Sequence, residues 1–200
     1  MKMTVECDCG AVQGTVESKH LKGYRAVCLC DDCQAYAHSI GHADMLDANG
    51  GTDIIPVMPS HYTFHKGQEK LQCLRLHSKG MYRWYTSCCK SPLGNTMAEQ
   101  SMPYIGVPVR AFQKNYSNEQ IESEFGPVRE RMQARFAKGT LPPKAQQKVS
   151  LGFMLRVIKF IGFAKLSGSG KPSPFFKVDG NPISEPKVLS KTERDALVGL

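Results

Sequence analysis

All eight of the chain's cysteines lie between Cys7 and Cys89, seven of them in three tight groups. They are Cys7-Asp8-Cys9-Gly10, then Cys28-Leu29-Cys30-Asp31-Asp32-Cys33, then the adjacent pair Cys88-Cys89. Thiolates a few residues apart can grip one tetrahedral Zn²⁺ at about 2.3 Å, and two such pairs from distant segments can close a four-ligand site. No cysteine follows Cys89, so the first half of the chain carries the chemistry. Disulfides are the rival reading, and compartment decides between the two. Met1-Lys2-Met3-Thr4-Val5-Glu6 contains no apolar signal stretch, which predicts a cytoplasmic protein. In a reducing compartment this cysteine pattern reads as metal-binding or catalytic rather than cross-linking.

The elements that must position these sulfurs read as β-structure. Val5 and Ala11 to Val16 flank the first cysteine pair as two short strands around a turn, with Gly10 supplying the positive φ that lets a backbone curl round a metal. Tyr24 to Cys28 reads as a strand entering the second group, and Gln34 to Ile40 as a short helix leaving it. Asp53 to Met58, Leu71 to Leu76, Met81 to Tyr85 and Tyr104 to Val109 are further strands, separated by Pro59, Gly67 and Gly80. Short strands at this spacing predict small antiparallel sheets.

Beyond Phe112 the period changes. Ser117 with Gln120 forms a capping box opening a helix, interrupted at Gly126-Pro127 and resumed to about Lys138. Pro142-Pro143 breaks the chain, Val149 to Leu166 is a second helical run, Ser167 to Pro172 a linker, and Ser190 with Glu193 opens a last short helix. The expected organisation is a mainly β zinc-binding domain over residues 1–111 and a helical, basic extension over 112–200, α+β overall. At 200 residues a core of ordinary size can form, so metal need not supply all the stability. The net charge of +8 is unevenly placed: residues 1–109 hold 10 Lys+Arg and 10 Asp+Glu, and residues 110–200 hold 16 against 8.

The cysteine motifs also carry a resemblance. Cys-x-Cys-Gly-x-Val at Cys7, Cys-x-Cys-x-x-Cys at Cys28 and Cys-x-Ser-Pro-Leu-Gly at Cys89 agree in type, order and separation with one family. Over about residues 3–110 the chain resembles the glutathione-dependent formaldehyde-activating enzymes, a family that includes a centromere protein V branch. The resemblance implies a tent-like β-fold pinned by zinc. It points to Cys7, Cys9 and Cys89 as ligands of one structural Zn²⁺, with Thr86 where the family has its other knuckle cysteine and Lys90 where it has glycine. Cys88 is the available fourth sulfur. Adjacent side chains point apart in an extended segment, so Cys88 and Cys89 both ligate only if the chain turns sharply there; otherwise Cys89 ligates with a group from elsewhere, or the site is empty.

The same resemblance makes Cys28, Cys30 and Cys33 a second zinc site with an open position, where glutathione and formaldehyde would join as S-hydroxymethylglutathione, a carbon–sulfur lyase type of activity. Three protein ligands plus water or substrate is the usual form of a catalytic zinc site. The plainer readings are that the three are redox thiols or hold nothing, and that Asp31 and Asp32 raise their pKa values. His38 and His42 are close enough in sequence to complete the position, although surface placement is the commoner fate of such histidines. Cys73 and Trp84 read as core.

The partner implied is a small thiol such as glutathione. The tail lacks the aromatic interleaving of a nucleic-acid binder. Its run from Val149 to Leu166, with Arg156, Lys159 and Lys165, could lie on an anionic membrane with Phe153, Phe160 and Phe163 dipping inward; the favoured expectation is a helix packed on the β domain or a second subunit, showing its charges to water. The alternative to an enzyme is a non-catalytic zinc module whose tail binds a protein, nucleic acid or membrane.

Overall fold

The computed structural model describes residues 1–141 and 144–198, so the expected break at Pro142-Pro143 lies outside the described residues. Along the chain run β1 (Lys2–Glu6), β2 (Gln13–Glu17), β3 (Ala26–Cys28), α1 (Asp31–Ser39), β4 (Thr52–Val57), β5 (Tyr62–Lys66), β6 (Leu71–Arg75), β7 (Tyr82–Thr86), β8 (Pro92–Thr96) and β9 (Ile105–Pro108). The second half adds α2 (Asn118–Phe125), β10 (Glu130–Met132), α3 (Leu151–Leu166), β11 (Pro186–Val188) and α4 (Lys191–Asp195). The fold is mixed α/β, mostly sheet.

β1, β2 and β5 form a three-stranded antiparallel sheet. Period-two alternation explains its inner face: Met3, Val5, Gly14 and Val16 turn inward while their neighbours meet water. The second sheet has eight strands in the order β10-β3-β4-β9-β8-β7-β6-β11, antiparallel inside and parallel at its two outermost pairs. Every residue of its central β8 and β9 is buried. One hydrophobic core joins both sheets and takes in Ile55, Trp84, Phe112, Phe125, Phe160 and Phe175. Trp84 stacks on Phe175 with centroids 5.0 Å apart, and Tyr62 meets the same ring edge-on at 5.5 Å. A Cβ at Gly94 would lie 2.8 Å from that ring, so β8 must carry glycine there.

Every strand expected between Val5 and Val109 overlaps an observed one, and both capping boxes form. Several expectations are corrected. The main sheet is one large mixed sheet rather than several small antiparallel ones. β8 was hidden because Pro-Leu-Gly-Asn-Thr has turn-like composition; its side chains are small because Phe175 presses on it. The helix expected to resume after Gly126-Pro127 does not: Gly126 takes φ 83° and the chain leaves α2 to become β10, whose backbone finds partners along β3. The region beyond residue 111 is therefore only partly helical, contributing β10 and β11 to the sheet and Phe160, Ala164 and Phe175 to the core. The expected linker at Ser167 to Pro172 is a bound turn, in which Ser169 O accepts from Ser60 N at 3.1 Å.

Candidate metal centres

The first centre joins two turns distant in sequence. Cys7 and Cys9 lie in the turn from β1 to β2, closed by Gly10 N donating to Cys7 O at 2.9 Å with Gly10 at φ 75°. Cys88 and Cys89 lie in the turn from β7 to β8, closed by Lys90 N donating to Thr86 O at 2.9 Å. That turn is the sharp reversal that both cysteines require, and it brings Cys88 in beside Cys89. Asp8 N donates to Ser91 Oγ at 2.9 Å and ties the two turns together.

The sulfur spacings are 3.6 Å for Cys7–Cys9, 3.3 Å for Cys9–Cys88 and 3.8 Å for Cys88–Cys89. All four sulfurs lie within 4.8 Å of one another. A tetrahedron with metal–sulfur bonds of about 2.3 Å has edges of about 3.8 Å, so four thiolates here fit one ion with little adjustment. A disulfide would require about 2.05 Å, and all eight cysteines are free.

The surroundings favour thiolate at Cys89. Burial opposes its charge, but the Ser91 and Thr86 hydroxyls at 3.2 and 3.4 Å, with backbone N–H groups of Cys9 and Ser91, outweigh it and bring the thiol down to about 5. Burial pushes Cys7 the other way, up to about 12, although Val12 N donates to its sulfur at 3.2 Å. An anion at Cys7 therefore needs a cation beside it. Thr86 serves the centre through its hydroxyl, which also accepts from Ser91 N at 3.1 Å, and is not a ligand. His42 belongs here too: Nε2 donates to Cys89 O at 3.0 Å while Nδ1 faces Asp44 at 3.5 Å and Asp8 at 3.8 Å.

Lys90 takes the glycine-like position of the knuckle at φ 60°, with its ammonium 5.4 Å from the Tyr85 ring centroid. A left-handed residue bearing a Cβ costs about 1 kcal/mol. Lys90→Gly is expected to raise stability by about 0.5 kcal/mol once the lost ring contact is subtracted. A higher urea midpoint at unchanged slope checks this; a lower midpoint would mean that the Tyr85 contact outweighs the strain.

The second centre is built by the β3–α1 junction. Cys28 ends β3, Cys30 precedes α1 and Cys33 lies in its first turn, with Cys33 N donating to Cys30 O at 3.1 Å. The Cys28 and Cys30 sulfurs are 3.3 Å apart, and all three sulfurs lie within 4.8 Å of one another. Behind Cys33 is a buried guanidinium: Arg83 Nη1 reaches its sulfur at 3.6 Å, and the same side chain lies over the Tyr36 ring at 5.5 Å. Contacts with Cys28 and Cys30, reinforced by Arg83, hold Cys33 well below the ordinary thiol range against its burial. Contacts with Cys30 and Cys33, with burial, push Cys28 up. Cys33 is thus the thiol of the trio that ionises most readily. Three thiolates around a divalent ion carry one negative charge, which Arg83 neutralises; the donor set fits such an ion.

Neither His38 nor His42 joins this trio. Asp31 and Asp32 are engaged by Arg194 of α4, at 3.1 and 2.9 Å, which offsets their charge near the thiols. Cys73 is buried in β6 and belongs to neither centre; Trp84 is core, as expected. Arg83 and Tyr104 were missed. Arg83 had a signal, a cation inside the apolar run Tyr82-Arg83-Trp84-Tyr85. Tyr104 sits beside the trio, where burial, then the charges of Cys28 and Cys33, raise its phenol. Its ring also lines a cavity of about 410 Å³ between α3 and the sheet, walled by Met81, Met97, Met102 and Met132.

No helix is long and apolar enough to cross a membrane among the described residues. No curated protein matches the chain. A crystal structure of a Rhodobacter sphaeroides protein is similar at 20% identity, over 63% of this chain and 97% of that one, with a TM-score of 0.43. With two cysteine centres able to hold metal placed on its fold, the chain matches a family model over residues 2–187 and belongs to that family, DUF6151, a family of unknown function.

Proposed function

We propose that the chain is a zinc protein of the glutathione-dependent formaldehyde-activating type, with Cys7, Cys9, Cys88 and Cys89 holding a structural ion and Cys28, Cys30 and Cys33 a reactive one. The observation that carries the reading is the unequal completion of the two centres. Four sulfurs close one of them, while three sulfurs leave a ligand position at the other. Zn²⁺ is the ion best matched to all-thiolate tetrahedral sites, and when bound with an open position it lowers the pKa of an incoming thiol.

The chain's own groups supply the rest. Arg83 balances the charge of the trio, so that an incoming thiolate enters a site without net repulsion. The Tyr104 phenol beside the trio, raised by burial, would give a proton to the oxygen that becomes an alcohol when the thiolate sulfur bonds to an aldehyde carbon. The thiol's own proton leaves to solvent, the Tyr104 phenolate takes one back from solvent, and the product is an S-hydroxyalkyl thioether. A cytoplasmic location accords with the reduced thiols this chemistry needs.

One observation favours the alternative of a non-catalytic zinc module. The cavity beside Tyr104 is walled by methionine, aliphatic groups and Phe153, with no cation among the described residues that line it to receive the carboxylates of glutathione. Metal analysis of protein purified without chelator, combined with calorimetric titration of glutathione, separates the two. The enzyme reading expects two zinc ions per chain, one after Cys30→Ser, and a heat of binding that Cys30→Ser abolishes. One ion per wild-type chain and no heat with glutathione would establish the module instead.

A further inference from the structure

The longest helix has two apolar faces, and the chain covers only one. Phe153, Phe160 and Ala164 of α3 pack into the core. On the opposite side Leu151, Met154, Leu155, Ile158 and Leu166 are 69, 45, 51, 58 and 92% exposed. At 3.6 residues per turn these five fall within an arc of about 120°, a stripe shared toward its C-terminal end with Gly162 and Lys165, on a helix about 24 Å long. The expectation that this helix packs on the β domain and shows its charges to water holds, and hydrocarbon is exposed beside those charges. Of the three phenylalanines that the membrane alternative would dip inward, Phe153 and Phe160 are buried and fix the helix to the sheet, and Phe163 is exposed.

Charge selects the occupant. From Arg131 to Val178 the sequence has ten Lys and Arg and no Asp or Glu. Lys159 borders the stripe, Lys165 sits at its C-terminal end and Arg156 on the flank, all three exposed. Lys19 and Lys22, also exposed, line the same cleft as Lys159 and widen the cationic border. A second copy of this chain seated on α3 would bring like charges together with no acid within that segment to pair them. Nucleic acid would answer the cations but leave the aliphatic stripe in water. An anionic bilayer answers both, taking the stripe into its acyl boundary and the cations at its headgroups.

We infer that α3 is a membrane-surface helix, by which the protein docks on anionic lipid without spanning it. The stripe would lie in the interface plane while Phe153 and Phe160 keep the sheet behind it folded.

Flotation of the full chain with vesicles tests this. Vesicles of phosphatidylcholine with about a third phosphatidylglycerol are expected to carry the protein, pure phosphatidylcholine vesicles to carry far less, and high salt to release it. Leu155→Glu with Ile158→Glu is expected to abolish binding. Lys159→Glu with Lys165→Glu is expected to weaken binding to anionic vesicles more than about tenfold while leaving the pure phosphatidylcholine baseline unchanged. Trp84 fluorescence, which reports the buried core, checks that each variant is folded. Absence of the folded wild-type chain from anionic vesicles would overturn the inference. So would sedimentation showing a dimer that Leu155→Glu with Ile158→Glu dissociates, since the stripe would then be a contact between copies.

Discussion

Cys89→Ser is expected to be the most damaging single change at either centre. The Cys89 sulfur receives more stabilising contacts than any other in the first centre, from two hydroxyls and two backbone N–H groups. Small zinc domains draw about 10 kcal/mol of folding free energy from their ion, and lose their fold without it. This chain has a core of its own, so the loss is put lower, at about 4 kcal/mol, still much of a typical margin of about 5–15 kcal/mol. Cys30→Ser should cost under about 1 kcal/mol, because Cys30 sits at a helix start where serine is a good cap. Urea unfolding followed by Trp84 fluorescence checks both. Equal losses from the two substitutions would mean that the four-sulfur centre contributes no more to the fold than the trio, and would undo the division into structural and reactive sites.

Arg83→Met is expected to cost about 3 kcal/mol, the usual penalty for removing one partner of a buried charged pair. Methionine preserves most of the side chain's bulk over Tyr36, so the loss isolates the charge. A second readout separates this from a packing defect. Cys33 has a depressed pKa, so in metal-stripped protein its thiolate contributes stability that is complete above the ordinary thiol range near about 8.5 and is lost as pH falls through the depressed value. Arg83→Met should shrink that pH dependence and lower zinc retention at the trio, whereas a void alone would leave both unchanged. An unaltered pH dependence with unaltered zinc content would remove Arg83 from the site.

Local signals made much of this molecule legible. Runs set off by Pro59, Gly67 and Gly80 exposed β4, β6 and β7, Ser-x-x-Gln and Ser-x-x-Glu marked two helix starts, and cysteine spacing separated the two centres. What stayed hidden depended on distant partners. Residues 130–132 carry no strand signal of their own and become β10 because β3 offers unpaired backbone groups. The small residues of β8 make sense only against Phe175, some eighty residues later. The same holds at the sites. That Cys88 stands beside Cys89 follows from a turn in which Lys90 accepts a glycine conformation, and composition favoured no such turn. His42 was read with the trio because it is near it in sequence, yet three-dimensional packing gives it to Cys89.

The parallel outer pairs have a consequence for biosynthesis. β11 binds Cys73 to Arg75, and β10 binds Ala26 to Cys28, so each closes a loop of roughly a hundred residues. While the ribosome is still making the tail, both margins of the nascent sheet stand bare, a state open to strand exchange with neighbouring chains. Arg194 reaches Asp31 and Asp32 later still. A polypeptide released before Arg194 would have its four-sulfur knot tied and its three-sulfur centre unbraced, so Arg194 acts as a late brace on the older half.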